Sequence, residues 1–93
     1  MDRAEIRSRI KEVISNVAGL DAQRIGDHDT WEDLNLDSLS LLEIGVDVDM
    51  AFKLGLPDET YKSIRSLDAM VDLVESRQAE QDAALATPQQ ATA

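Results

Sequence analysis

Ser38 stands beside an acid in the run Leu34-Asn35-Leu36-Asp37-Ser38-Leu39. A serine at the start of a helix offers a hydroxyl that could carry a covalently attached phosphate group. A helix N-terminus suits such a group, because it presents free backbone N–H groups and a partial positive charge. The same position also suits a serine that merely caps the helix. It does not suit a catalytic nucleophile. A hydrolytic serine needs an adjacent base and an oxyanion site. The only histidine, His28, lies in a polar stretch between Asp27 and Asp29 and reads as a surface residue. The glycines that flank the serine of a strand–turn–helix elbow are missing.

Asp27, Asp29, Asp47 and Asp49 invite a calcium reading. An EF-hand loop requires acids at alternate positions, Gly at the sixth and Glu at the twelfth. Asp47-Val48-Asp49-Met50-Ala51-Phe52 and Asp27-His28-Asp29-Thr30-Trp31-Glu32 both fail at the fifth and sixth positions. No metal site is expected. There is no cysteine, which removes disulfides and thiolate chemistry of the chain's own.

The 93 residues allow one domain and one small core. That is cramped for a cleft enzyme and ample for a binding or carrying module. Aromatics are only 3%, so the core must be mostly Leu, Ile and Val. There are 19 Asp and Glu against 9 Lys and Arg, a net charge of −10. Nucleic acid and anionic membrane surfaces are therefore disfavoured as partners. A basic protein surface would be attracted from a distance. The bland alternative is acidity that only keeps the protein soluble. No apolar run approaches the roughly 20 residues that span a bilayer, and no apolar signal run opens the chain, so the cytoplasm is the expected compartment.

The elements that must position Ser38 are unequally legible. Ile6, Ile10, Val13, Ile14 and Val17 follow one face at helical spacing. Asp2 with Glu5 resembles a capping box, and Gly19 stands where a helix-ending glycine belongs. Residues 20–36 break the pattern. Leu20, Ile25, Trp31, Leu34 and Leu36 are apolar points in an Asp-rich loop, pinned to the core by Trp31 and Leu34, with Thr30 starting a short turn. A connection this long is often functional.

Residues 38–53 are ambiguous. Leu42, Ile44, Val46, Val48, Met50 and Phe52 alternate with polar or small residues, which is a strand signal. At about 100° per residue the segment also reads as a two-faced helix. Leu41, Ile44, Val48 and Phe52 then form one stripe and Leu39, Leu42, Val46 and Met50 another. The length exceeds a typical strand and no hairpin partner is near, which favours a helix. Pro57 opens a short helix that Ile64 ends. Ser66 looks like the N-cap of a last helix carrying Leu67, Met70, Val71 and Val74. From Gln78 the chain turns to Ala, Gln and Thr and is read as a disordered tail, leaving a carrier domain over 1–77.

This order of elements, together with Asp37-Ser38-Leu39, resembles an acyl carrier protein over roughly residues 3–76. Trp31-Glu32-Asp33-Leu34 before the serine and Gly55-Leu56-Pro57-Asp58-Glu59 after it stand at the family's usual distances. The resemblance implies an all-α, four-helix bundle of three longer helices and one short one, with a long loop between the first two. It also settles residues 38–53 as the second helix. Two positions depart from the pattern. Asn35 replaces a usual Gly, and Asn is the next residue to tolerate positive φ. Gly45 replaces a branched residue at a cost of up to roughly 1 kcal/mol. It either admits a close neighbour or softens the helix.

The resemblance implies that Ser38 receives 4′-phosphopantetheine from coenzyme A by a phosphopantetheinyl transferase with Mg²⁺. Asp37 assists that modification, or serves as a helix-start acid, or both. The arm's thiol then bears the acyl group, so the chain is a substrate of enzymes and catalyses nothing itself. Leu39, Leu42, Val46, Glu43, Asp47 and Asp49 are the expected docking residues for basic surfaces of ketosynthases, acyltransferases or adenylating enzymes. The bland alternative for the apolar three is packing under the long loop. A core that opens between helices to shelter an acyl chain is also implied. The expected role is a monomeric, discrete carrier for polyketide or specialised-lipid synthesis, with Met1 close to the first helix. A peptidyl or aryl carrier is the near alternative, and an acidic helical adaptor the alternative from another class.

Overall fold

The computed structural model describes residues 2–86. Four α-helices are joined by loops, α1 (Arg3–Ala18), α2 (Ser38–Phe52), α3 (Asp58–Lys62) and α4 (Leu67–Ala86), with one short 3-10 turn at Ala22–Arg24. No strand occurs among the described residues, so residues 38–52 are helical and the alternating pattern there does not build a sheet.

Local chemistry explains the ends of α1. Asp2 accepts the Glu5 amide at 2.9 Å, and Gly19 ends the helix at φ 72° with its N–H on the Ser15 carbonyl. Ile6, Ile10 and Ile14 face inward and are buried. They meet Ile44, Val48 and Phe52 of α2 and Leu67, Met70, Val71 and Val74 of α4 in one core. α1 packs against both α2 and α4, and α3 packs against α2. Each fully buried side chain of this size contributes about 1.5–3 kcal/mol relative to exposure.

The long loop is tied down at both levels. Ile25 and Trp31 enter the core, while Leu20, Leu34 and Leu36 pack on its edge. Thr30 and Asp33 exchange side-chain-to-amide hydrogen bonds at 3.0 and 3.1 Å, forming the expected turn. The backbone then pairs with the loop before α4: the Trp31 amide donates to the Arg65 carbonyl and the Leu67 amide to the Asp29 carbonyl, both at 2.9 Å. Nearby, Ser66 caps α4 by accepting the Ala69 amide at 3.1 Å. Asn35 has φ 56°, a left-handed backbone that asparagine tolerates better than most residues.

Two boundaries differ from expectation. α3 ends at Lys62 and not at Ile64. Residues 78–86, expected as tail, continue α4. Ala, Gln and Glu there are good helix formers. The extension is also held: Arg77 Nε donates to the Leu54 carbonyl and Gln81 Nε2 to the Lys53 carbonyl, both at 2.9 Å. The rest of the expected tail, residues 87–93, lies outside the described residues, as does Met1.

Candidate functional site at the start of helix α2

The N-cap of α2 is Asp37, not Ser38. Asp37 has extended backbone, and its Oδ1 accepts the Ser40 amide at 2.7 Å. Ser38 is therefore the first residue inside the helix. Its side chain is exposed and its hydroxyl makes no hydrogen bond among the described residues. The capping role that could have explained the serine is filled by its neighbour.

That arrangement changes the electrostatics expected at this end. The Ser40 amide, then the Ser40 side chain and the Leu39 amide, hold the Asp37 carboxyl below the usual carboxylate range. At neutral pH it is ionised and already spends the Ser40 N–H. The helix end is thus less open to a phosphate than free amides would make it. A phosphodiester on Ser38 fits: the oxygen is reachable and nothing occupies it. It would, however, sit beside a fixed negative charge, which disfavours its folding back onto the amides. The geometry suits a tether that points outward.

The outer face of α2 carries the second apolar stripe. Leu39, Leu42, Val46 and Met50 are 65, 47, 40 and 69% exposed, so they do not pack under the long loop. Glu43 and Asp47 are exposed between them. Asp49 does not belong to this surface. Its carboxylate accepts the Gly55 amide at 3.2 Å, the Leu56 amide at 2.9 Å and the Tyr61 hydroxyl at 2.7 Å. Burial alone would raise the Asp49 carboxyl. The bonds from Tyr61, Leu56 and Gly55, with the charge of Arg77, outweigh it and hold the group low. Burial, then the Asp49 contact, raises the Tyr61 phenol strongly. Asp49 thus organises the loop between α2 and α3. Nothing local to Asp49 signals this role, because its partners follow a chain reversal.

Gly45 admits a close neighbour. A Cβ there would lie 3.1 Å from both Cβ and Cγ of Tyr61. Between α2 and α3 remains a cleft of about 310 Å³, with Ser38, Leu41, Leu42, Val46, Tyr61 and Ile64 among its walls. The expected opening of the core is not where this space lies: Ile10, Ile44, Val48 and Val71 are fully buried and do not line it.

His28 is placed away from Ser38, with Nδ1 2.6 Å from Asp68 Oδ2, tying the long loop to α4. Among the described residues no three His, Cys, Asp or Glu side chains cluster as a metal site. Among the same residues, no helix is long and apolar enough to cross a membrane.

Comparison with known proteins agrees with this geometry. Residues 8–74 match the family described as a phosphopantetheine attachment site. The acyl carrier protein of Rubrobacter xylanophilus is 34% identical over 79 residues, covering 84% of this chain and 98% of its own length. A non-reducing polyketide synthase of Emericella nidulans is 26% identical over 92 residues, covering 98% of this chain and 4% of that protein. The crystal structure of an acyl carrier protein from Thermotoga maritima superposes with a TM-score of 0.74 at 24% identity, covering 86% of this chain and 94% of that one, a likeness of fold. With an all-helical bundle and that match over most of its length, the chain belongs to the acyl carrier protein family, whose phosphopantetheine-binding domain carries a covalently attached 4′-phosphopantetheine.

Proposed function

We propose that Ser38 is the attachment point of the 4′-phosphopantetheine arm in this chain. The supporting observation is the division of labour at the start of α2: Asp37 caps the helix and leaves the Ser38 hydroxyl exposed and unpartnered. In the modification the Ser38 oxygen forms a new bond to phosphorus of coenzyme A. The pyrophosphate bond breaks, and the nucleotide leaves with its phosphate. The Ser38 proton passes to a base of the transferase or to solvent. Asp37, ionised and adjacent, is placed to assist the Mg²⁺-bound donor at that moment. The arm supplies a terminal thiol on which an acyl group rides as a thioester. The chain's own residues hold the tether outward and present the docking face.

Leu39, Leu42 and Val46 provide the dry contacts of that face, and Glu43 and Asp47 the steering charge. Its partners are the transferase and the ketosynthases, acyltransferases or adenylating enzymes that use the loaded arm. All carry basic surfaces where they meet α2. The chain works as a monomer in the cytoplasm. The pathway we favour is polyketide or specialised-lipid synthesis, a reading supported by the similarity to a segment of a polyketide synthase.

Incubation with coenzyme A, Mg²⁺ and a promiscuous transferase tests the proposal by intact mass. One phosphopantetheine addition on the wild type, absent from Ser38→Ala, is expected. An adaptor whose serine has no carrier role would show no addition.

A further inference from the structure

Lys62 of α3 is a cation without a partner that borders the same space as Ser38. It is exposed and makes no ion pair among the described residues, although Asp58 stands one helical turn before it. Arg3, Arg7, Lys11 and Arg77 are all paired with acids. The chain has two other lysines. Lys11 is bound to Asp27, and Lys53 ends α2 about 22 Å of helix from Ser38, at about 1.5 Å per residue. Arg65 faces a different hollow, beside Trp31 and Asn35, where Ser38 takes no part. Lys62 is therefore the one cation that shares a wall with Ser38.

The start of α2 has little positive charge to spare for a group on Ser38. Asp37 already takes the Ser40 amide, and its carboxylate is ionised at neutral pH. A phosphodiester on Ser38 adds a second negative charge beside it. Resting on the carrier reading, we propose that Lys62 is a positioning residue for the arm: its ammonium pairs with the phosphodiester on Ser38 and draws the root of the tether toward α3. Ammonium–phosphate hydrogen bonds are charge-assisted and stronger than neutral ones. At an exposed site, water and salt weaken them, so the effect is modest and sensitive to ionic strength. Its consequence is direction. The arm leaves Ser38 on the α3 side and away from the long loop, so a partner docked on α2 meets the thiol from that side.

The test compares the full chain before and after treatment with coenzyme A and a transferase, with intact mass confirming conversion. No mass gain would overturn the carrier reading and this inference with it, whereas the following results bear on the inference alone. On conversion the side-chain Cε resonance of Lys62 moves, and those of Lys11 and Lys53 stay in place. The ³¹P resonance of the loaded chain shifts in Lys62→Gln and returns toward wild type in Lys62→Arg. Lys53→Gln and Arg65→Gln leave it unmoved. The change in Tm from apo to loaded form is about 1–5 °C less favourable in Lys62→Gln than in wild type. That difference disappears in 1 M salt, where the screening length is about 3 Å. A Lys62 that only meets solvent, or only an acid of a partner, would show none of this in the isolated chain. An unmoved Lys62 resonance, or one ³¹P position shared by wild type and Lys62→Gln, would overturn the inference. So would an equal ³¹P shift from Lys53→Gln or Arg65→Gln, or a Lys62→Arg variant that behaves as Lys62→Gln does.

Discussion

Asp37 and Ser40 close the first turn of α2 with a 2.7 Å hydrogen bond from the Ser40 amide to Asp37 Oδ1. That contact frees Ser38 from a structural duty and keeps a charged carboxylate beside it. The two consequences can be separated. Asp37→Ala should destabilise the protein by about 1 kcal/mol, the usual worth of such a cap. Asp37→Asn keeps an acceptor at the cap and should lose only a few tenths of that, yet it removes the charge. If Asp37 assists modification, the asparagine variant is modified more slowly at unchanged stability. Denaturant unfolding and the rate of mass gain read the two effects, and equal modification rates for wild type and Asp37→Asn would confine Asp37 to capping.

The pH dependence follows from the same kind of contact. Asp27, Asp37, Asp49 and Asp68 are all held below the ordinary carboxylate range. For Asp27 the first cause is Lys11, and for Asp68 it is His28 followed by Arg7. A depressed carboxyl contributes stability above its unfolded pKa of about 4, and loses it as pH falls through the lower folded value. Tyr61 runs the other way. Its raised phenol favours folding fully below about pH 10 and loses that contribution as pH rises. Stability measured in 0.15 M salt, to screen the net negative charge, should fall below pH 4 and again above pH 10. Tyr61→Phe should blunt the alkaline fall, and an unchanged alkaline limb would contradict the assignment.

Gly45 predicts a graded response. Gly45→Ala gains up to roughly 1 kcal/mol of helix propensity but presses on Tyr61, which the Asp49 bond restrains. Less than half of that gain should appear as stability. Gly45→Val cannot be absorbed by a shift of a few tenths of an ångström and should cost about 1–3 kcal/mol. Thermal unfolding of the two variants checks this. A fully realised gain in both would mean that α3 yields freely.

How legible these features were in the chain depended on how local their causes are. The caps at Asp2, Gly19 and Ser66 are set by residues within a few positions and could be read from the letters, whereas the positive φ of Asn35 was expected only from the resemblance. α2 was not legible from periodicity alone. Both of its stripes are apolar, one for the core and one exposed, and together they imitate an alternating strand. Asp49 was misread as a surface acid beside Asp47, because its partners lie six to twelve residues ahead across a turn. The end of α4 was misplaced because Arg77 and Gln81 hold carbonyls 23 and 28 residues behind them. Ser38 stood out by its place between Asp37 and Leu39, but the exposure of its free hydroxyl follows from Asp37 having taken the cap.

The docking face predicts which acids matter to partners. Leu42→Ala and Val46→Ala should each slow modification by the transferase about tenfold if they reach the centre of the contact. Glu43→Lys and Asp47→Lys should lower the association rate and flatten its dependence on salt. Asp49→Ala should instead cost about 1–3 kcal/mol of stability for donors left unpaired. Transferase kinetics across a salt series, beside unfolding curves, sort these variants. A kinetic loss from Glu43→Lys that persists undiminished at high salt would contradict the steering role.

A peptide-resolved mass spectrum after transferase treatment shows which hydroxyl anchors the arm. Two serines, Ser38 and Ser40, fall in the first turn of α2. Phosphopantetheine is expected on Ser38 alone, with Ser40→Ala still modified and Ser38→Ala not. Modification at Ser40, at another hydroxyl, or at none would contradict it.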